Sequence, residues 1–354
     1  MFPINETMGQ YSELFMLLAA GTYTVAFVAF AWDLAKSSKM LKAVDLKAAS
    51  SVVAEVKVPV AAGRAGGNDV EGPAGRTERP TSAITSVNQT AGGDMKYAAE
   101  RRIPARVAVA VAIIGVAIHG AGVITRAIGA GRVPWGNMYE FLTTGAFLVV
   151  AVFLLSLIRR DLRFLGTFVL GLAVIMMVAA SVTYWTPVGH LVPALQSYWL
   201  VIHVSIAVMS ASLFTLTFAM SALQLLQSHR QKTLAAGGVD KLGFMRLVPN
   251  ALSLENLSYR INTVGFVGWT FTLMFGAIWA EKAWGRFWGW DTKEVWTFVI
   301  WVVYAGYLHA RATRGWTGTR AAWLSIAGYL CVIFNFTVVN VFFNGLHSYS
   351  GLSQ

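Results

Sequence analysis

"FLGTFVLGLAVIMMVAASVTYWT", residues 164–186, runs for 23 positions without a Lys, Arg, Asp or Glu. About 20 predominantly apolar residues cross a bilayer as one helix. In lipid each backbone N–H and C=O has to be satisfied within the protein, so such a run reads as a helix and not as an open strand. Residues 14–32, 107–125, 141–158, 198–226, 261–280 and 321–343 are equally free of charge. Residues 295–310 form a shorter run that spans once its flanking turns join it. Eight transmembrane helices follow, and the fold class is an all-α integral membrane protein. Composition agrees: 56% of the 354 residues are hydrophobic and 13% charged, against about 25% charged in soluble domains.

The net charge of +11 is a topology signal. The segments 34–106, 159–163, 228–260 and 311–320 fall on one side of the membrane and hold 23 of the 28 Lys and Arg residues. The positive-inside rule puts these segments in the cytoplasm and both termini outside. A nucleic-acid footprint is not expected from charge distributed in this way. The N-terminus lacks a basic n-region, so residues 1–33 read as a retained first helix and not as a cleaved signal. Residues 34–103 are rich in Gly, Ala, Ser and Thr and read as a flexible cytoplasmic loop. The stretch "KSSKMLKAVDLKAASSVVAEVKV" within them could form a surface helix. Residues 104–350 make a compact membrane domain. The single cysteine, Cys331, lies inside the last span and reads as a packing residue; no disulfide framework or cysteine cage can form within the chain.

"WGRFWGWDTKEVW", residues 284–296, falls in the external connection between the sixth and seventh spans. Interfacial tryptophans are ordinary, and that accounts for one or two rings. It does not account for Trp284, Phe287, Trp288, Trp290 and Trp296 together. Gly285 and Gly289 would let backbone approach something flat. "DTKE" has the spacing of a capping box, with Asp291 as N-cap and Glu294 three residues on. The cluster reads as a platform for a planar, greasy ligand. "RAIGAGRVPWGNMYEF", residues 126–141, is a second external loop. It is either a turn with Glu140 favourably placed at a helix start or a wall of the same site.

Six histidines remain to be placed. An ionisable side chain within a span is a functional candidate. His203 lies about one turn inside the fifth span, and His347 just beyond the eighth, both near the depth of the Trp-rich loop. Two imidazoles beside an aromatic platform suit axial ligation of haem iron, although each alone could be a hydrogen-bonded structural histidine. His309 lies 14 residues after Val295, roughly 21 Å along a helix. It cannot reach the same iron and marks either a second, inner position or a polar helix end. His119 lies in the outer part of the second span, His190 in an external loop as a rival outer ligand, and His229 in basic cytoplasmic sequence.

The Trp-rich string resembles the WWD signature of haem-handling membrane proteins. With "LVPALQSYWLVIHVS", "GYLHAR", "VNVFFNGLHSY" and "GRVPWGNMYEF" it is similar to the CcsA (ResC) type of System II cytochrome c biogenesis, whose actinobacterial members are often labelled CcsB. The likeness extends over residues 104–350. It implies that b-type haem, bound non-covalently and in transit, passes from an inner position to the external WWD site and is presented for thioether attachment to apocytochrome c CxxCH motifs. It implies that His203 and His347 are the external iron ligands and His309 the membrane ligand. Trp284, Trp288, Trp290, Asp291 and Trp296 would line the site, and Lys282, Arg286 or Lys293 could meet the propionates. The partners implied are a CcsB/ResB-type membrane subunit supplying the second inner histidine, apocytochrome c, thiol-reducing proteins and the lipid bilayer. The chain would be the haem-handling subunit of a holocytochrome c synthase at the cell membrane. A haem b electron-transfer subunit and a haem transporter without ligation chemistry are the alternatives.

Overall fold

The computed structural model describes residues 3–55, 95–97, 102–191, 193–343 and 345–347. The described residues contain eight long helices: α1 (Glu6–Glu55), α2 (Ile103–Ala130), α3 (Met138–Leu157), α4 (Gly166–Thr183), α5 (Tyr198–Ala235), α6 (Ala251–Trp284), α7 (Thr292–Thr313) and α8 (Thr319–Phe336). A short α9 (Val338–Phe342) follows. Seven of the long helices are apolar and long enough to cross a membrane. The other is α7, the shortest run in the sequence. Its 22 residues reach about 33 Å, and it carries Lys293, Glu294, His309 and Arg311 near its ends. The protein is an all-helical, multi-pass membrane protein.

The helix boundaries have local causes. Asn137, Ser197 and Asn250 cap α3, α5 and α6 through their side-chain oxygens, each satisfying a backbone N–H that the first turn leaves free. Asp291 and Glu294 form the full capping box at α7. Gly285 ends α6 in the left-handed region, at φ +70°, where a Cβ would be strained.

The helices pack as two groups. Apolar side chains of α1–α4, joined by Leu216 and Met220 of α5 and Leu254 of α6, close one core around Tyr23, Phe30, Val150, Phe153, Leu165 and Leu170. Those of α5–α8 close a second around Phe214, Trp269, Ile300, Tyr304 and Tyr329. Contacts of α3 with α5 join the groups. One stripe of α6 faces α5, at alternating spacings of three and four: Glu255, Ser258, Asn262, Gly265, Trp269, Thr272, Gly276 and Trp279. This is the spacing of a helix–helix seam. Its far half is polar: Gln224 donates to Glu255 (3.2 Å), and Thr217 donates to Asn262 (2.6 Å). Its near half, toward the Trp-rich loop, ends in aromatic rings.

Ion pairs hold both ends of the bundle. Beneath the 126–141 loop, Glu140 is 1% exposed and lies 3.1 Å from Arg126 and 2.7 Å from Arg132. Arg126 also donates to the carbonyls of Thr186 and Pro187, and Arg132 to that of Gly189. Glu140 is therefore the hub that ties α2, α3 and the α4–α5 connection together, beyond its expected place at a helix start. At the opposite end Asp33 pairs with Arg102, and Asp240 with Arg230 and Arg246. The two arginines, Arg230 first, hold the Asp240 carboxyl down at about 2.

The first helix differs from the expected boundary at residue 33. It continues unbroken to Glu55, so the expected surface helix is an extension of the span. The middle of the expected flexible loop, residues 56–94, lies outside the described residues. Its end is docked: Tyr97 donates to the Leu157 carbonyl at 2.6 Å, and the Met95 carbonyl accepts from Asp161 N at 2.7 Å.

Candidate functional site

At the end of the bundle that carries the Trp-rich loop, seven elements converge: the starts of α3, α5 and α7, the ends of α6 and α8, α9, and the segment after it. They enclose two adjoining cavities of about 70 and 120 Å3. Both cavities are lined by His203, Ala207, Trp279, Lys293, Phe336 and His347. Trp288 and Phe287 reach the first only, Trp135, Met138 and Asn340 the second only.

His203 sits in the second turn of α5. Its Nδ1 is 2.9 Å from the Thr272 carbonyl. A carbonyl only accepts, so the imidazole's proton is on Nδ1 and the lone pair on Nε2 is free. A Cβ on Gly276 would meet the ring at 2.7 Å; glycine lets α6 close on the histidine. His347 Nδ1 is 2.8 Å from Asp291 Oδ2; a carboxylate accepts, so Nδ1 carries a proton and Nε2 is left to face another partner. Both rings lie against one indole. His203 stacks on Trp279 at 5.8 Å and 16°, and His347 meets it edge-on at 5.5 Å. Metal-ligating histidines are held in this way, the non-ligating N–H donated to a carbonyl or carboxylate that fixes tautomer and ring orientation.

Asp291 is the hinge pin of this arrangement. It caps α7 through Lys293 N (3.2 Å), accepts from Leu346 N (3.1 Å) and orients His347. A Cβ on Gly345 would overlap its carboxylate, so the chain after α9 can lie on it only as glycine. The His347 hydrogen bond keeps the Asp291 carboxyl below the usual carboxylate range, against the opposing effect of its burial. Glu294 folds the loop from the other side by accepting from Gly289 N (2.8 Å) and Asp291 N (3.1 Å).

The expected site residues divide into those that converge and those that do not. His203, His347, Trp288 and Asp291 come together. Trp284 stands behind His347, with ring centroids 5.0 Å apart. Trp290 is 74% exposed with φ +60° and lines neither cavity. Trp296 packs on Phe334 at 4.2 Å, between α7 and α8. Gly285 and Gly289 serve the loop itself: the first ends α6, and a Cβ on the second would overlap the Arg286 guanidinium. His309 is exposed near the far end of α7. His190 and His229 are exposed, and neither lines either of these two cavities. His119 is buried between α1 and α3, 3.2 Å from the Tyr23 hydroxyl. The residue absent from the sequence reading is Trp279, only 2% exposed and the shared floor of both histidines. Its signal was the α6 stripe, which it ends.

The donor set can be tested against what it would hold. Among the described residues no three His, Cys, Asp or Glu side chains gather as a metal cage, whereas a bare transition-metal ion asks for about four ligands. Two free imidazole nitrogens on an aromatic floor suit an iron whose other ligands belong to a planar macrocycle. The cavities are smaller than the roughly 300–1,000 Å3 of ordinary ligand pockets, so a planar guest needs more room than they provide.

Fold and site together define a multi-pass helical membrane protein with a two-histidine aromatic site at one end. The family model for cytochrome C assembly protein matches residues 135–347. "Cytochrome c biogenesis protein CcsA" of Prochlorococcus marinus is 36% identical over 272 residues, 69% of this chain and 83% of that protein. The protein of the same name from Gloeobacter violaceus is 32% identical over 309 residues, 72% of this chain and 90% of that one. That of Synechococcus sp. is 41% identical over 175 residues, 45% of this chain and just over half, 56%, of the relative. The chain belongs to the cytochrome c assembly protein family and is a CcsA-type cytochrome c biogenesis protein.

Proposed function

We propose that this protein carries haem to its tryptophan-rich end, holds it between His203 and His347, and presents it for covalent attachment to apocytochrome c. The observation that carries the reading is the pair of imidazoles with anchored Nδ1 and free Nε2 on the Trp279 indole. The tryptophan-rich end faces outward, because the Lys- and Arg-rich connections lie at the other end, and the membrane is the cell membrane. Iron ligation from two histidines and contact with Trp279 and Trp288 hold the ring and orient it toward the incoming polypeptide. Each of the two CxxCH thiols adds across a vinyl group: one C–S bond forms, and the thiol hydrogen ends on the neighbouring vinyl carbon. The chemistry needs free thiols, so thiol-reducing proteins are partners. The cytochrome's own CxxCH histidine replaces one of the two site histidines and releases the product.

His309 belongs to an earlier step. It lies on an open face of α7 with Phe298 and Val302, both exposed, and with Gly306, whose Cβ position has nothing within 4 Å. A second membrane subunit of the CcsB/ResB type covers this face and contributes the other ligand of an inner haem. Two measurements test the reading. Haem c formation on a co-expressed apocytochrome is lost in His203→Ala or His347→Ala and partly restored by added imidazole; normal maturation in the double variant overturns the outer site. Haem per protein is compared for wild type and His309→Ala, each with and without the second subunit. The subunit loads the wild type and not the variant; full loading of the solitary wild-type chain overturns the relay.

A further inference from the structure

Among the described residues Lys293 is the only basic side chain, histidines apart, that lines either cavity, and it lines both. Its Nζ is held by two neutral oxygens, the Asn335 carbonyl at 2.8 Å and Asn340 Oδ1 at 2.6 Å, and lies 4.5 Å from the centre of the Phe336 ring. Among the described residues it makes no ion pair, whereas the other two basic residues of the loop do. Lys282 pairs with Glu281 at 2.9 Å on the exposed surface, and Arg286 with Glu294 at 3.5 Å. An ammonium drawn out of water without a carboxylate is costly. Lys293 also occupies the first turn of α7, where the helix dipole favours an acid and disfavours a cation. Neither helix stability nor an internal pair accounts for its charge. Its ammonium adds positive charge to cavities that also feel the Asp291 carboxylate and, in the first, are lined by Glu294.

We infer that Lys293 is the receptor for a carboxylate of the bound porphyrin. The inference rests on the haem reading above and adds to it the orientation of the ring. A propionate drawn to Lys293 exchanges two neutral acceptors for a charged one, a charge-assisted contact about twice as strong as a neutral one. It also puts the propionate edge against α7 and α8. The vinyl edge, on the opposite side of the macrocycle, then points away from the lysine, which is where the thiols have to reach it.

The test titrates the full chain, purified in detergent, with iron protoporphyrin IX and with its dimethyl ester, which keeps the ring and iron but has no carboxylate. Wild type should favour the diacid roughly tenfold to hundredfold, the range for hydrogen bonds to charged groups. Lys293→Met should abolish the preference and still bind the ester, which also reports that the variant is folded. Lys293→Arg should retain part of it. Equal affinity of wild type for the two ligands, or an undiminished preference in Lys293→Met, overturns the inference. If Lys293→Met does not fold, the wild-type ratio alone decides. The absorbance spectrum separates this from the underlying reading. A two-histidine spectrum with both ligands and no preference removes Lys293 only; a wild type without that spectrum for either ligand removes the haem site and this inference with it.

Discussion

Replacing Asp291 by Asn separates its structural role from its role toward His347. The carboxylate accepts from Lys293 N, Leu346 N and His347 Nδ1 at 3.2, 3.1 and 2.8 Å. Asparagine is as good an N-cap as aspartate, so α7 should lose no more than about 0.5 kcal/mol, the scale of a benign substitution. What disappears is the anionic acceptor behind His347. Removing such an outer partner of a ligating histidine costs about 10–100-fold in affinity for the metal, or about 1.4–2.8 kcal/mol at 1.4 per decade. Asp291→Ala should lose this and also the cap, about 1 kcal/mol more of folding stability. Haem titration followed by absorbance gives the affinity, and thermal unfolding in the same detergent gives Tm. Asp291→Asn should show a nearly unchanged Tm and a Kd raised by one to two decades, Asp291→Ala a lower Tm as well. An Asn variant that binds haem as tightly as wild type would refute the view that Asp291 tunes the ligand.

Other consequences can be measured in the same preparations. Trp279→Leu should weaken haem binding and perturb its spectrum, whereas Trp290→Gly, at an exposed left-handed position, should leave both unchanged and Tm equal or higher; the opposite ranking would put the platform on the wrong indole. Glu140→Gln leaves Arg126, 1% exposed, without its counter-charge. Breaking a buried pair by removing one partner costs about 3–5 kcal/mol, so this variant should unfold at much lower temperature, and a wild-type Tm would contradict the hub role. Asp240 has a folded pKa near 2 against an ordinary 3.8. A depressed carboxylate stabilises the fold fully above the unfolded value and loses that contribution as pH falls toward the folded one. Wild type should therefore lose stability between about pH 4 and 2, the interval between those values. Asp240→Asn should be less stable than wild type at pH 7, with the difference closing across that interval; a constant difference would exclude the linkage.

Much of the fold was legible because lipid imposes a one-dimensional rule. An uncharged run such as residues 141–158 becomes α3, Met138–Leu157, almost without adjustment. Where helices extend past their uncharged windows, the added charges are satisfied by distant partners. Glu255 lies within α6 and is reached by Arg311 at 2.8 Å and by Gly318 N, pairings that no local pattern announces. The two histidines and the aspartate were visible as residue types at a shared depth. Trp279 was not, since an indole inside an apolar run looks like any packing residue until α5 is seen to lay His203 on it. Lys293 was legible only as one of three basic candidates for the propionates, beside Lys282 and Arg286; the hydrogen bonds to Asn335 and Asn340 at the end of α8 and in α9 single it out. Trp290 erred in the other direction, because its left-handed backbone carries it off the platform that its neighbours form.

The central claim is that His203 and His347 together hold haem iron on Trp279. The most direct measurement is the absorbance and electron paramagnetic resonance spectrum of the purified protein loaded with ferric haem. It should be taken for wild type, each single His→Ala variant and the double variant, with and without imidazole. A low-spin, two-nitrogen signature in wild type, lost in each single variant and returned by imidazole, is the expected result. The same low-spin signature persisting in the double variant without imidazole would contradict the account.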